Sequence, residues 1–367
     1  MPFEEEISLL DSQSAKRSLG RFLTARSPFA YDAFNQWIDE FIGSKSDEWQ
    51  KTIRICEPYA GTNSLLRMFA DVVSSKLSSF NTSWLAFDLT PPKKEDNMFP
   101  AAAIKKADTL RTIPGEPYDL IVTNPPYLAR NSARRRGLPF PFDYEGTGID
   151  SPADLYQIAL DTCLASAPWC AMLIPESFLT SKYDKSRLEY LISLPGSLFD
   201  DTECPVCLAL FGPAARDDFS IIGFDGEKIG NYSEISTFAK SFFNDTANTA
   251  QKNALQVAFN DPDGEIGLVG TDSSTGKRAR FVPGIEIEPT CVKHSSRSVT
   301  RISVSNLNGK DIHQVVREAN TLLDEWRDAT GDIFMTAFKG IDKTTGRYRR
   351  RLAFKDAENI LAKAICM

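Results

Sequence analysis

The sequence predicts an α/β fold: a doubly wound, mostly parallel sheet over residues 1–212, followed by a smaller mixed α+β domain over 213–367. Three observations carry this. Up to position 212, short apolar, β-branched runs alternate with stretches of helical periodicity, the pattern of strands joined by crossover helices. Several runs end on a residue with chemistry to offer, Glu57, Asp88 and Asn124, at strand carboxyl ends, where open sheets bind ligands. Beyond Pro213 turn signals crowd together (Gly223, Gly226, Gly230, Pro262-Asp263-Gly264) and the β-like runs shorten.

Taken in order, residues 1–16 read as a polar leader whose Glu4-Glu5-Glu6 is acidic where a signal peptide would be basic. Phe34, Trp37, Ile38, Phe41 and Ile42 recur at helical spacing and predict a core helix over 30–42. Ile53-Arg54-Ile55-Cys56 predicts the first strand. It runs through Glu57-Pro58-Tyr59-Ala60-Gly61-Thr62-Asn63-Ser64 into a helix that buries Leu65, Leu66, Met68, Phe69, Val72 and Val73. A strand, a turn of small residues and a helix bring backbone N–H groups close to a ligand. The glycine fingerprint of phosphate binders is absent and Glu57 opens the turn, so an amino-bearing ligand is served better than a pyrophosphate. The next strand, Ser83-Trp84-Leu85-Ala86-Phe87, ends at Asp88, a carboxylate placed to accept both hydroxyls of a ribose. Ala107-Asp108-Thr109-Leu110 offers a further carboxylate before the following strand.

That strand, Asp119-Leu120-Ile121-Val122-Thr123, organises the chain. It stops at Asn124 because Pro125 and Pro126 supply no backbone N–H and force the residue before them into an extended conformation. The turn presents the Asn124 amide, a proline carbonyl and the ring of Tyr127: two acceptors beside a stacking face. An exocyclic amine on a flat heterocycle, such as N6 of adenine, has two N–H donors for those acceptors and a π-face for the ring. Its lone pair is delocalised, and acceptors on both hydrogens draw it back to nitrogen without a general base. The plain alternative is a strand, a Pro-Pro turn and a surface tyrosine.

Residues 128–151 hold arginines, glycines, prolines and the aromatics Phe140, Phe142 and Tyr144 without periodicity, as a functional loop does. Asp154 then caps a helix with Ile158, Ala159 and Leu160, and Cys170-Ala171-Met172-Leu173-Ile174-Pro175 is a buried strand. Glu176 is expected to open a helix through Leu188, Tyr190 and Leu191, and Val206-Cys207-Leu208-Ala209-Leu210-Phe211 closes the sheet. In the second domain, β-like runs over 220–224, 280–287 and 299–304 and an amphipathic helix over 311–326 stand out.

A net charge of −7 excludes a general polycation, so any nucleic-acid contact must come from local basic surface. Two places offer it: Arg130 with Arg134-Arg135-Arg136, and Arg347 with Arg349-Arg350-Arg351. Seven cysteines, an odd number, argue against a disulfide framework and for a reducing compartment. Cys204 and Cys207 read as buried thiols on a strand. With no second pair and only His294 and His313 as imidazoles, no metal site is expected. No apolar run approaches the roughly 18 residues of a membrane span, and a cytoplasmic protein without a membrane partner is expected.

Together these motifs resemble the gamma-class, S-adenosylmethionine-dependent DNA adenine-N6 methyltransferases, over about residues 16–211. Gly20-Arg21-Phe22-Leu23-Thr24 looks like the motif lying against the methionine end of the cofactor, although Ala25 stands where a proline is usual. Glu57-Pro58-Tyr59-Ala60-Gly61 looks like the cofactor turn, with Glu57 near the methionine amino group and Asn63 in place of the second glycine often found there. By the same resemblance Asp88, with Leu89, meets the ribose, Asp108 meets the cofactor adenine, and Asn124-Pro125-Pro126-Tyr127 is the catalytic tetrapeptide. Pro175 matches the motif after the fifth strand, and Phe199 falls where a second aromatic faces the flipped base opposite Tyr127.

The resemblance implies a Rossmann-like sheet of seven strands with helices on both faces, and a target-recognition domain over 213–367. It implies double-stranded DNA as partner, with a cognate restriction endonuclease as a second, and a monomer is expected. The same tetrapeptide serves enzymes that methylate adenine in RNA or a glutamine amide in protein. The order of domains here, with the variable region last, speaks against the glutamine enzymes. A non-enzymatic binding module would not need an intact acceptor turn beside three strand-end carboxylates.

Overall fold

The computed structural model describes residues 24, 26–45, 52–145, 151–196, 198–199, 204–244 and 255–367, so residues 20–23 and 25 of the N-terminal motif lie outside the described residues. In chain order the first elements are α1 (Asp32–Gly43), β1 (Thr52–Glu57), α2 (Ser64–Leu77), β2 (Asn81–Asp88), β3 (Ile104–Lys106) and β4 (Leu120–Thr123). Then come α3 (Arg130–Arg136), α4 (Leu155–Ser166), β5 (Trp169–Pro175), β6 (Leu188–Ser193), β7 (Val206–Phe211), β8 (Ser220–Ile222) and β9 (Lys228–Asn231).

These strands form one sheet in the order β3-β2-β1-β4-β5-β7-β6-β8-β9. β1 pairs in parallel with β2 on one side and β4 on the other, so the direction of winding reverses between β1 and β4. Right-handed crossovers leaving that point in opposite directions put α2 and α4 on opposite faces. β4, β5 and β7 are buried along their whole length, as central strands covered on both faces must be. α1 buries Phe34, Trp37, Ile38 and Phe41, with the Trp37 and Trp169 rings meeting edge-on at 5.5 Å.

Several expectations are revised here. Among the described residues the sheet has nine strands rather than seven, the chain adding β8 parallel to β6 and then β9. The chain divides into two compact units, Met1–Lys228 and Ile229–Met367, so the first of them runs past Pro213. The helix expected after Pro175 is only a 3-10 turn, Glu176–Phe178, and Leu188, Tyr190 and Leu191 lie on β6, which pairs with β7 and β8. Apolar positions at 188, 191 and 192 fit a helical stripe as well as a short strand, and periodicity alone does not separate the two. Cys207 is buried on β7, whereas Cys204 is half-buried and precedes the strand.

The second unit, Ile229–Met367, holds α5 (Tyr232–Asn244), β10 (Val257–Phe259), β11 (Ile266–Val269), β12 (Arg280–Pro283) and β13 (Val299–Val304). α6 (Ile312–Thr330), β14 (Thr336–Ile341), β15 (Tyr348–Arg351) and α7 (Phe354–Cys366) complete it. An antiparallel sheet of order β10-β13-β11-β12 buries Ile266, Leu268, Phe281 and Ile302 against Val315, Leu323 and Trp326 of α6 and Ile360 and Leu361 of α7. α6 begins where the Asp311 carboxylate accepts the Gln314 N–H at 2.8 Å. It ends four residues later than the apolar stripe predicts, at Gly331, whose φ of 58° suits glycine. Arg327 near its end is 2% exposed, its guanidinium held between Asp272 and Asp332.

Candidate active site

The turn after β1 is built around two buried carboxylates. Glu57 is 1% exposed and accepts the Leu66 N–H at 3.1 Å, so a strand residue caps α2 in place of Asn63, whose side chain makes no capping bond. Burial pushes the Glu57 carboxyl well above the usual carboxylate range; the Leu66 N–H opposes this and the nearby Asp88 charge adds to it. Asn63 has φ of 60°, a left-handed conformation that asparagine tolerates, which accounts for it standing where a glycine is usual. Its Nδ2 donates to Asn97 Oδ1 and the Ala102 carbonyl, both at 2.9 Å.

Asp88, 3% exposed at the tip of β2, accepts the Gly61 N–H at 2.9 Å on Oδ2 and the Thr90 N–H at 2.8 Å on Oδ1. Leu89 lies half-buried beside it. Gly61, at φ of 52°, can turn its N–H onto this carboxylate without a Cβ penalty. Asp108 is exposed and accepts only the local Leu110 N–H at 3.1 Å, while its neighbour Thr109 is stitched to the turn. The Thr109 hydroxyl donates to the Pro58 carbonyl at 2.5 Å, and the Tyr59 hydroxyl to the Thr109 carbonyl at 3.1 Å.

At the tip of β4 the tetrapeptide closes on itself. Asn124 is half-buried, its Nδ2 3.4 Å from Thr24 Oγ1 and its Oδ1 bonded to the Tyr127 hydroxyl, which also lies 2.7 Å from the Leu173 carbonyl. A phenol carries one proton and cannot serve two carbonyls fully. The set balances when the amide is turned over, its NH2 meeting the hydroxyl oxygen and its oxygen taking the Thr24 proton. Tyr127 is 8% exposed, so it is not the surface tyrosine of the plain alternative, and Phe199 is 5% exposed. Phe199 forms an antiparallel bridge with Thr24, so Thr24, Asn124, Tyr127 and Phe199 are joined in one chain of contacts. A cavity of about 480 Å³ opens beside this group, lined by Arg26, Tyr31, Asp32, Leu198 and Asp225 among others; Glu57, Asp88, Asn124 and Tyr127 do not line it.

The loop after Tyr127 departs from expectation by containing the short helix α3. Its two feet are tied together: Leu128 donates to Asp154 Oδ1 at 2.8 Å, and Leu155 donates to the Leu128 carbonyl at 3.2 Å. Asp154 also accepts from Tyr156 at 3.4 Å, so one carboxylate both caps α4 and fixes the residue after the tetrapeptide. Sequence reasoning found the cap and missed this second task, which only the return of the loop reveals. Burial raises the Asp154 carboxyl to about 6, against the pull of its backbone N–H partners. Its folded form therefore keeps a proton that an unfolded Asp loses near 3.9. This contribution to stability is present at low pH and is lost as pH rises from about 4 through 6. Asp154→Asn should flatten stability-against-pH curves in that window, as urea titrations at stepped pH would record.

The arginine clusters differ in their surroundings. Arg130 is committed locally, to Ser151 Oγ at 2.5 Å and the Phe142 carbonyl at 3.0 Å, whereas Arg134, Arg135 and Arg136 are exposed at the end of α3. In the second unit Arg347, Arg349, Arg350 and Arg351 are half-buried on or beside β15. Arg349 and Arg351 lie over the Phe338 ring at 5.3 and 5.7 Å, and Arg349 Nε donates to the Asp272 carbonyl at 2.6 Å. Among the described residues no group of His, Cys, Asp and Glu is placed to hold a metal, and no helix is long and apolar enough to cross a membrane.

No family model matches the chain, and no curated protein matches it. Among solved structures it is similar to a putative class I S-adenosylmethionine-dependent methyltransferase from Listeria monocytogenes, with 14% identity, 60% of this chain and 71% of that one covered, and a TM-score of 0.39. The methyltransferase subunit of a type I restriction-modification system from Streptococcus thermophilus aligns at 14% identity over 65% of this chain and 60% of its own, with a TM-score of 0.36. A modification subunit of a putative type I restriction enzyme from Vibrio vulnificus aligns at 15% identity over 60% of this chain and 50% of its own, with a TM-score of 0.35. At these scores the likenesses carry no weight of their own beside the geometry of the strand tips.

Proposed function

We propose that the chain is an S-adenosylmethionine-dependent methyltransferase acting on N6 of an adenine turned out of double-stranded DNA, as the modification enzyme of a restriction-modification system or a solitary methylase. The observation that carries this reading is the Asn124-Pro125-Pro126-Tyr127 corner at the tip of β4, beside the reversal of the sheet, with the buried carboxylates Glu57 and Asp88 at the next two tips.

The donor set fits the cofactor. Glu57 is a buried carboxyl whose one hydrogen bond among the described residues is the Leu66 N–H, and an ammonium group is the partner that would satisfy it. Asp88, a buried carboxylate at the tip of β2, would meet the ribose hydroxyls beside Leu89, Asp108 stands exposed beyond β3 for the adenine, and Tyr59 and Gly61 shape the turn between them. Thr24 would lie toward the methionine end. When bound, S-adenosylmethionine supplies a methyl group on a positively charged sulfur, open to attack by a weak nucleophile.

The chain's own residues act on the amine. Asn124 and the Pro125 carbonyl accept its two hydrogens and draw the lone pair toward nitrogen, while Tyr127 and Phe199 hold the ring. The amine nitrogen so held would take the methyl group that the bound cofactor supplies, and the amine's surplus proton would pass to solvent. Orientation and fixed dipoles supply most of the acceleration. The exposed Arg134 to Arg136, and the half-buried arginines on and beside β15, serve phosphates or base edges.

Label transfer from tritiated cofactor to duplex DNA, single-stranded DNA, RNA and a glutamine peptide, run in parallel, tests this. Duplex DNA should take the label on adenine; label on RNA or peptide alone would overturn the substrate. Glu57 gives an independent test through its raised carboxyl. A bound ammonium lowers that pKa again, so binding should release a proton and tighten as pH rises above the ordinary carboxylate range. Calorimetry in buffers of differing ionisation enthalpy should detect the proton in the native chain and not in Glu57→Gln.

A further inference from the structure

We infer that Phe142 is the wedge that enters the DNA stack as the target adenine leaves it. This rests on the DNA reading above and goes beyond it, since neither the tetrapeptide nor the cofactor turn says what opens the duplex. Among the described residues the exposed large apolar side chains are Met98, Phe142, Ile285 and Met367, and Phe142, 39% exposed, is the aromatic one. A ring left in water needs a reason, and its surroundings supply one.

The loop that carries it stands on the tetrapeptide. It leaves at Leu128, next to Tyr127, and returns at Asp154 and Leu155, which hydrogen-bond back to Leu128. On either side of Phe142 it is fastened down. Phe140, 9% exposed, packs with Leu128, Ala133, Leu155 and Ile158, while the Tyr144 hydroxyl donates to Asp161 at 3.2 Å and Asp143 pairs with Arg111 at 3.1 Å. Phe142 thus stands between fastened neighbours with its ring presented outward.

Cations flank that ring. The Arg130 and Arg134 guanidinium groups lie over it at 5.6 and 5.4 Å, and Arg134, Arg135 and Arg136 are exposed. A flat apolar group among cations suits a duplex, whose bases take the ring between them while the phosphates on either side meet the arginines. It suits an apolar protein or uncharged lipid surface poorly, because the exposed guanidiniums would be covered without phosphates to meet them, and neither offers a stack for the ring to enter. The plain role, a lid over Phe140, whose ring lies 5.1 Å away, explains the contact but not the arginines.

The wedge and the lid predict different substrate dependence. Phe142→Ala should lower kcat/KM on a duplex with a paired target adenine by about 10- to 100-fold, since the ring no longer replaces the lost stacking. On a duplex whose target adenine faces an abasic position, already unstacked, the same variant should come within about threefold of the native chain. Phe142→Leu, which keeps an apolar wedge and packs on Phe140, should fall between, and fluorescence of 2-aminopurine at the target should rise with the native chain and not with Phe142→Ala. Equal loss on both duplexes, or no loss on either, would overturn the wedge. A native chain that methylates neither duplex would instead overturn the DNA reading.

Discussion

Asn124→Ala is expected to lower the rate of methyl transfer by about 10³-fold while the affinity for S-adenosylmethionine stays within about threefold, because the side chain acts on the amine and not on the cofactor. Two acceptors share the work of drawing the amine's lone pair onto nitrogen, and the loss of one strips a dipole from where charge develops. Glu57 and Asp88, which would hold the cofactor, accept from the backbone N–H groups of Leu66, Gly61 and Thr90, so the turn should keep its shape. Without the amide the Tyr127 hydroxyl keeps the Leu173 carbonyl, a bond that is present already. Single-turnover rates and equilibrium cofactor binding, measured on the same preparation, separate the two effects. Parallel loss of transfer and of cofactor binding would show that Asn124 shapes the cofactor site, and the assignment of roles would fall.

The strand tips were legible because strands, unlike helices, announce both their burial and their end. Leu120-Ile121-Val122-Thr123 is apolar or β-branched throughout, as a strand covered on both faces requires, and Pro125-Pro126 marks its end unambiguously. The same reasoning failed at Leu188–Ser193, where six residues with apolar positions on two alternations satisfy both periods and only pairing with β7 and β8 decides. The site shows the same division. Glu57 and Asp88 could be placed by position, but their partners could not. That Glu57 caps α2, that Asp88 holds Gly61, and that Asn63 is braced by Asn97 and Ala102 are contacts across 9 to 39 residues that no local pattern encodes. The two arginine clusters read alike in sequence. In the structure Arg130 is turned inward to Phe142 and Ser151, and Arg349 is bonded to the Asp272 carbonyl, so exposure, not charge, separates Arg134 to Arg136 from them.

Arg327 was not marked by the sequence at all, and its replacement carries the largest expected effect on stability. Its guanidinium makes two bonds to Asp272, at 2.8 and 3.0 Å, and two to Asp332, at 2.7 and 2.9 Å, inside a unit that leaves it 2% exposed. Arg327→Ala would leave two carboxylates facing each other without their cation, a loss of about 3 to 5 kcal/mol by analogy with broken buried pairs. Lysine should not rescue it, since an ammonium cannot present the planar fork that both carboxylates use. Burial alone would raise the Asp272 carboxyl, but its bonds to Arg327, Ala279 N–H and Arg350 N–H outweigh this and hold it below its usual range. The stabilisation it brings is therefore present above about pH 4 and lost as pH falls through the lowered value, the opposite slope to that of Asp154. Because Asp272 also holds the backbone N–H of Arg350 and its carbonyl takes Arg349 Nε, the row of arginines on β15 depends on the same knot. Urea unfolding of the full chain, followed by a probe in the second unit such as Trp326 fluorescence, should show an earlier transition for Arg327→Ala, with the transition of the first unit unmoved. DNA affinity should weaken in step with that shift and recover at low temperature or added osmolyte if the fault lies in folding. An unchanged transition would mean that water satisfies the two carboxylates and that the knot does not hold the strand.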